Sequence, residues 1–448
     1  MLEPSLEIEQ IARNALRYSN GADAEVIATM SENAVTRFAE NAISQNVSRQ
    51  GLAITIRIVK GKCTARVSTS STDAASLKHA FAKASTLVAF QKESADILPL
   101  PNPRPVQPIP AYESSTAELR AEARAAAVLK AISKCKKAGL RAAGICSTGW
   151  GALAVANTKG LLVSHKDTTG TFSVSVQTGD SSGWAEASHR DFGEINVDKL
   201  VAVALEKAEA SRNARSIEPG LYTVVLEPAA VAELFQFMGW FGFGGLGFVE
   251  DRTFMAGRLG QQIFGENITV HDDAFHPLQR GLPFDFEGLP RQPIALIEKG
   301  VAKAVVHDRV TAQRAHAETT GHALPQPSVE GPMPLNLILA SGDSSVEEMI
   351  ASTERGILIT RFHYTNLVEP MKLVLTGMTR DGTFLIEKGK VTSPLKNLRF
   401  TQSVVEALNE VDLISREPET MLADWGPGAY TVPALKIRRF NFSSTTEF

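Results

Sequence analysis

His316-Ala317-Glu318-Thr319-Thr320-Gly321-His322 places two imidazoles and a carboxylate in one short stretch. A helical zinc site wants histidines at i and i+4 with a glutamate beside the first. Here the spacing is i and i+6, and Thr319-Thr320-Gly321 does not sustain a helix, so the stretch reads as a polar loop. His271-Asp272-Asp273 with His276 is a second acid and imidazole cluster, but its residues are common turn formers and the sequence places no further ligand. Gly242-Phe243-Gly244-Gly245-Leu246-Gly247 matches G-x-G-x-x-G. A dinucleotide fingerprint needs a strand before it and a helix after it. Here a helical pattern comes first, so we read a glycine-hinged loop carrying Phe241, Phe243 and Phe248 into a core or an interface. Neither a G-x-S-x-G elbow nor a P-loop occurs. Cys63, Cys135 and Cys146 are odd in number and contain no C-x-x-C pair, which suits idle thiols in a reducing compartment.

The elements that would carry such residues follow from periodicity. Ile8, Ile11, Ala12, Ala15 and Leu16 mark one face of a helix. Leu52–Val59 and Cys63–Ser68 read as strands around a Lys60-Gly61-Lys62 turn, and Thr72 or Asp73 caps a helix with Leu77, Phe81, Ala84 and Val88 inside. Six prolines between Leu98 and Pro110 predict an extended surface connection. Ser115-Thr116-Ala117-Glu118 predicts a capping box for the alanine-rich helix that Gly139 ends. Short strands follow over 144–147, 152–157, 161–166, 171–177 and 185–189, then a helix over Val197–Ala210. Ser216–Gly220 reads as a domain boundary. Beyond it, Tyr222–Leu226 predicts a strand, and Pro228 opens a helix of about 12 residues. Residues 281–293 are loop-rich. Ser344-Ser345-Val346-Glu347 is a second capping box for a helix stopped by Gly356, with strands over 357–362, 373–376 and 383–387. The fold class is α+β: an N-terminal α/β domain of hairpins and helices over 1–215, and a C-terminal domain of mostly antiparallel strands over 216–448.

Composition narrows the function classes. A chain of 448 residues, 44% apolar and 21% charged, is long enough for two or three globular cores and unlike a disordered or disulfide-scaffold protein. A net charge of −3 offers no basic excess for phosphates, so direct nucleic-acid binding is not expected. The longest apolar run, Leu234–Val249, holds Gln236 and several glycines and is shorter than the roughly 20 residues of a membrane span. Met1–Glu7 lacks the basic and apolar regions of a signal peptide. The expectation is a cytoplasmic protein with no membrane contact.

The collinear order of several segments resembles the TldD/PmbA family, also called modulator of DNA gyrase proteins. The resemblance rests on Val47-Ser48-Arg49-Gln50-Gly51-Leu52 through Ala65, on Ala154-Val155-Ala156-Asn157-Thr158-Lys159-Gly160, on Ser345–Leu358, and on Leu385-Ile386-Glu387-Lys388-Gly389-Lys390 followed by Pro394. It implies zinc metalloprotease chemistry on flexible peptides for the TldD branch. There a His-Glu-x-x-x-His motif sits on the helix after the first C-terminal-domain strand, with a Cys near the chain end. Two imidazoles and a thiolate leave a fourth tetrahedral position for water, and the Glu can serve as general base.

This sequence departs from that pattern. The equivalent helix reads Ala232-Glu233-Leu234-Phe235-Gln236-Phe237-Met238-Gly239-Trp240-Phe241. The ligand positions hold Gln236 or Phe237 and Trp240 or Phe241, and Glu233 has no histidine beside it. Trp425-Gly426-Pro427-Gly428-Ala429-Tyr430 contains no Cys. The resemblance is therefore to the PmbA (TldE) branch and implies no metal, no cofactor and no catalytic residue in this chain. What it implies instead is a subunit of a metalloprotease assembly, either a homodimer or a heterodimer with a zinc-bearing TldD-like paralogue, holding a flexible peptide. The alternative is a peptide- or protein-binding module without a protease partner. Glu233, His322 and His363 are candidate cleft residues, and an independent hydrolase would have to use His316, His322 or His363. We expect Phe237, Trp240 and Phe241 to pack where an active relative holds its metal, and expect dimerisation through the C-terminal domain. The gyrase label does not by itself imply contact with DNA.

Overall fold

The computed structural model describes residues 4–446 except 424, 425 and 427. Trp425 and Pro427 of the expected Cys-free segment lie outside the described residues. Along the first half run α1 (Pro4–Leu16), β1 (Asp23–Ala39), β2 (Ala42–Lys60), β3 (Cys63–Thr69), α2 (Ala74–Val88), α3 (Ser114–Ala117), α4 (Ala121–Lys137), β4 (Arg141–Asn157), β5 (Leu162–Gln177), β6 (Ser182–His189) and α5 (Val197–Ala210). The six strands make one antiparallel sheet in the order β3-β2-β1-β4-β5-β6. Even-numbered residues face the helices: Ala24, Val26, Ala28, Ile54, Ile56, Ala152 and Ala154 pack against Ile8 and Ala12 of α1 and Leu77 and Phe81 of α2. The alanines on these strands leave room for the helix backbones to approach. Further along the same face, Phe38, Cys146, Phe172 and Val174 pack on Val128, Ile132 and Cys135 of α4 and Val201 and Ala204 of α5.

The second half runs through β7 (Gly220–Leu226), α6 (Pro228–Phe241), α7 (Gly245–Val249), β8 (Val270–Asp272), β9 (Ile294–Glu298), β10 (Val301–Ala302), α8 (Arg309–Arg314), β11 (Asn336–Leu339), α9 (Val346–Ala351), β12 (Arg355–Glu369), β13 (Val374–Glu387), β14 (Lys390–Pro394), β15 (Leu398–Ser403), α10 (Val404–Asn409), β16 (Val411–Ile414), β17 (Glu419–Leu422), β18 (Ala429–Val432) and β19 (Leu435–Thr445). Strands β12, β7, β19, β15 and β13 pair in that order, and β13 pairs back onto β12, closing a barrel. Phe362, Phe400 and Phe440 meet inside, with centroids 4.5–5.7 Å apart. A separate sheet runs β10-β9-β8-β11-β18-β17, and α6 packs against β12 and β18 between the two. The fold class is the expected α+β.

Several local expectations are corrected. Ser115 and Thr116 do not cap α4, whose N-cap is Arg120 with no side-chain bond. Their hydroxyls serve tertiary contacts instead: Ser115 donates to Asp191 (3.3 Å), and Thr116 accepts from the Phe192 N–H (2.7 Å). The second capping box lies one residue later, on Ser345 and Glu348. Gly356 does not stop α9. It sits within β12, where a Cβ would come 2.6 Å from the Thr223 carbonyl oxygen. The short strands expected over 144–157 are one strand, β4. Gly149 fits there because a Cβ would reach Asn33 and the Glu32 carbonyl at 2.5 Å. The proline-rich connection is not wholly superficial: Leu100 and Pro101 are buried, and the Asn157 amide donates to the Pro101 carbonyl at 2.9 Å. The glycine-rich segment lacks a preceding strand, and its Phe243 is fully buried in this chain's own core, edge-on to Phe254 at 5.5 Å.

The halves meet through the loop-rich stretch 281–293. Phe284 inserts on the odd-numbered face of the first sheet against Ile27, Val155 and Leu161. Beside it, Arg57 and Glu25 form a buried bidentate pair, both bonds 2.9 Å.

Candidate functional site

Five residues of α6, namely Ala229, Ala232, Glu233, Gln236 and Phe237, fall at i, i+3, i+4, i+7 and i+8, the spacing of one helical face. That face lines a cavity of about 740 Å³. Opposite, β12 contributes Arg361 through Asn366, β6 contributes Trp184 and Glu186, and the β17–β18 region contributes Met421, Leu422 and Tyr430. The register of β12 against β13 slips between His363 and Asn366. Tyr364 there has φ +58°, a left-handed conformation that costs a bulky residue about 1–3 kcal/mol. This irregularity leaves the Tyr364 side chain 74% exposed, with its ring edge-on to His363 at 5.6 Å.

A polar clamp fixes the wall between β6 and the barrel. The Arg361 Nε donates to Asp381 at 2.8 Å, and a second guanidinium nitrogen bonds the same oxygen. Ser182 of β6 donates to the other Asp381 oxygen at 2.5 Å. The Arg361 guanidinium lies over the Trp184 ring, 4.5 Å from its centroid. A planar, delocalised cation suits both contacts at once.

A second cavity of about 530 Å³ shares Trp184, Glu186, Ala229 and Met421 with the first. It extends past the Lys207–Glu227 ion pair to Glu419, whose carboxyl is pushed up by burial and by the neighbouring Glu227 charge. Both cavities lie between β6 and β17, the end strands of their sheets.

The expected site residues separate into three groups. Glu233, Gln236, Phe237 and His363 line the main cavity together. Trp240 and Phe241 do not line it but pack behind Phe237, at centroid distances of 5.9 and 6.2 Å. His322 is not a cleft residue. It is fully buried, its Nε2 2.9 Å from Asp272, which also accepts from the Asn336 N–H at 2.8 Å. Burial pushes the His322 pKa down, against the opposing pull of the Asp272 carboxylate, and its Nδ1 lies 2.9 Å from the Thr320 carbonyl oxygen. Burial works against the Asp272 carboxylate, but His322, the Arg291 charge and the Asn336 N–H outweigh it and hold its pKa below the usual range. His316, at φ +51° after α8, lies outside the cavity lining. The cavity residues that sequence reasoning missed, Trp184, Arg361, Tyr364 and Tyr430, come from strands distant in sequence. Of the residues named from the sequence, Glu233, Gln236 and Phe237 of α6 and His363 of β12 reach the lining.

Among the described residues the lining does not assemble a catalytic zinc site. Such a site takes three nitrogen, oxygen or sulfur ligands. The lining carries the Glu186 and Glu233 carboxylates and the His363 imidazole on three separate elements, while the helix positions after Glu233 carry an amide and a phenyl ring. Among the described residues no group of three His, Cys, Asp or Glu side chains converges to hold a metal ion. The lining sets aromatic surfaces beside carboxylate, amide and hydroxyl groups.

The PmbA/TldA metallopeptidase C-terminal domain matches residues 219–444, the central domain 109–212 and domain 1 24–88. The chain belongs to the PmbA/TldD family. Relatives of this PmbA/TldD chain include the Haemophilus influenzae metalloprotease TldD homolog, 26% identical over 56% of this chain and 54% of that protein. The Methanocaldococcus jannaschii metalloprotease MJ0996 is 28% identical over 53% of each. This chain spans about half the length of the curated relatives it matches. Thermococcus kodakarensis TldE superposes with a TM-score of 0.87 at 22% identity, covering 97% of this chain and 99% of that one. At that identity the likeness is one of fold. No helix among the described residues is long and apolar enough to cross a membrane.

Proposed function

We propose that this chain is a metal-free, PmbA-like subunit of a cytoplasmic TldD/PmbA-type metalloprotease assembly, and that its cavity helps hold a flexible peptide for a zinc-bearing TldD-like paralogue. The observation that carries this reading is the cavity-facing stripe of α6. The family resemblance puts the zinc ligands on this helix, and here the turns that line the cavity carry Glu233, Gln236 and Phe237. The contiguous cavities suit an extended ligand, because they open between two strand edges rather than around one enclosed pocket. The chain would then contribute walls and alignment, while hydrolysis proceeds on the partner's metal.

Affinity purification from native lysate tests this. Recovery of a His-Glu-x-x-x-His paralogue, with peptidase activity only in the mixture, supports it. Peptide binding by the isolated chain with no paralogue recovered moves the reading to a stand-alone binding module. Peptidase activity in the isolated chain overturns it.

A further inference from the structure

The proline-rich stretch is a strap fastened to the first sheet at both ends. The Asn157 amide donates to the Pro101 carbonyl at 2.9 Å, and the Thr168 N–H donates to the Ala111 carbonyl at 3.0 Å. Between those anchors it runs past an open edge, because β6 covers β5 only from Gly170 to Gln177. Proline has no N–H, so Pro103, Pro105, Pro108 and Pro110 cannot donate to that edge as a strand would. A cavity of about 620 Å³ is left between the strap, Leu162–Lys166 of β5 and the first turns of α1. Its volume is that of a small-molecule site, and it shares no lining residue with the cavities at α6.

Buried polar side-chain atoms normally have a partner. His165 lines this cavity and is 9% exposed, yet its Nε2 makes no hydrogen bond. The charges around it are mostly positive. Arg104 on the strap is exposed and forms no ion pair among the described residues. Lys166 lies over the Tyr112 ring, 4.2 Å from its centroid. Arg190, just past β6, bonds the Pro110, Pro277 and Gln279 carbonyls at 2.6–2.9 Å. The nearby acids are engaged, Asp167 with Arg280 and Glu9 of α1 with the Ser164 hydroxyl at 2.6 Å. Burial lowers the His165 pKa, and the Arg280 and Arg190 charges lower it further against the pull of Asp167.

We propose that this cavity binds the carboxylate end of an apolar chain, with His165, Arg104 and Lys166 around the carboxylate and the chain along Val106, Ile109 and Leu162. An anion beside an imidazole favours its charged form, so His165 takes up a proton from solvent and donates Nε2–H to the carboxylate. A neutral head group leaves the surplus positive charge unanswered, and a cationic one meets like charge. The carboxylate can belong to a free medium-chain acid or to the C-terminal residue of a peptide. The site lies apart from α6, so its failure would leave the proposed function standing.

Calorimetric titration of the full chain with octanoate, octanol and octylamine, each to about 5 mM, tests this over the range of weak small ligands. We expect octanoate to bind with a dissociation constant on the order of 1 mM or below, and the alcohol and amine at least about tenfold more weakly. A tripeptide ending in leucine, as free acid and as C-terminal amide, separates the two sources: the free acid binding more tightly than octanoate assigns the site to peptide C-termini, and the reverse assigns it to free acids. Arg104→Glu should weaken the bound acid about tenfold. Its side chain is exposed, so unchanged melting confirms that the variant folds. By NMR, the His165 ring signal, assigned by its loss in His165→Gln, should move towards the protonated position when the acid binds at pH 7 and stay in place with octanol. No binding of either acid, octanol or the peptide amide binding as tightly as the acids, affinity indifferent to Arg104→Glu, or an unmoved His165 signal would each overturn the proposal.

Discussion

Replacing Glu287 by Gln should stabilise the protein, and only on the alkaline side. Glu287 is 4% exposed beneath the first sheet. Burial, then the Asp285 charge, push its carboxyl pKa up to about 8, against the opposing pull of Arg309 and Arg57. At pH 7 the Arg309 contact at 3.3 Å is therefore a hydrogen bond to a neutral acid. In the unfolded chain the same group ionises near its ordinary value of about 4.5, so between there and about 8 the unfolded state binds fewer protons. Stability must then fall as pH rises through that window and level off above it. The full difference at about 1.4 kcal/mol per pH unit approaches 5 kcal/mol, and Asp285, itself raised to about 6, shares part of it. We expect a gain of roughly 2–5 kcal/mol for Glu287→Gln at pH 8.5 over native, shrinking towards zero by pH 5. Paired thermal melts at pH 5, 7 and 8.5 read this directly, since subtracting the native curve removes the titrations that do not couple to Glu287. A native-minus-variant difference that stays flat with pH, or grows towards acid, would refute the reasoning.

Three other outcomes are expected. Elemental analysis of the purified chain should find far less than one zinc per chain, because the α6 stripe lacks imidazole and thiolate, the donors zinc prefers; one tightly held zinc would bring His363 and Glu233 forward as ligands. Asp381→Asn should cost about 2–4 kcal/mol and raise proteolytic sensitivity at β6, since it strips the charge from a buried carboxylate and leaves Arg361 half-buried without its anion; unaltered melting would show that the clamp is dispensable. Phe243→Ala should cost about 3–5 kcal/mol in thermal or denaturant melting, as for any fully buried phenyl ring; a loss below 1 kcal/mol, with the mass of any oligomer changed instead, would put Phe243 at an interface.

Elements with strong local signals were legible. The α5 helix runs over Val197–Ala210 as its periodicity requires, and Asp73 caps α2. Strand β1 was not read at all, although it lies between β2 and β4 in the first sheet. Its middle, Ser31-Glu32-Asn33, lacks apolar alternation. It holds strand geometry because both edges are paired, with Glu32 opposite Gln50 on one side and Trp150 on the other. Ser115 and Thr116 failed for the converse reason, since Asp191 and Phe192 compete for their hydroxyls from 76 residues away. At the cavity, the α6 residues were legible because the family resemblance places its metal motif on this helix. The β12 irregularity and the Trp184–Arg361–Asp381 clamp are products of tertiary register, which one strand's sequence does not encode. His322 misled because a histidine beside threonines and glycine reads as exposed loop until its buried acid, Asp272, is found 50 residues upstream.

The clamp around Asp381 makes the cavity a gauge of how the first sheet sits on the barrel. Ser182 and Arg361 share one carboxylate, and Arg361 also carries the Trp184 ring. Sliding β6 by a single residue would swap its inward and outward side chains and withdraw Trp184 from the wall altogether. The cavity is therefore set in steps rather than continuously, like a caliper with a detent. A ligand that touches both jaws acts as a brace: it stabilises the docked arrangement by its own binding free energy, and adds nothing if it touches only one.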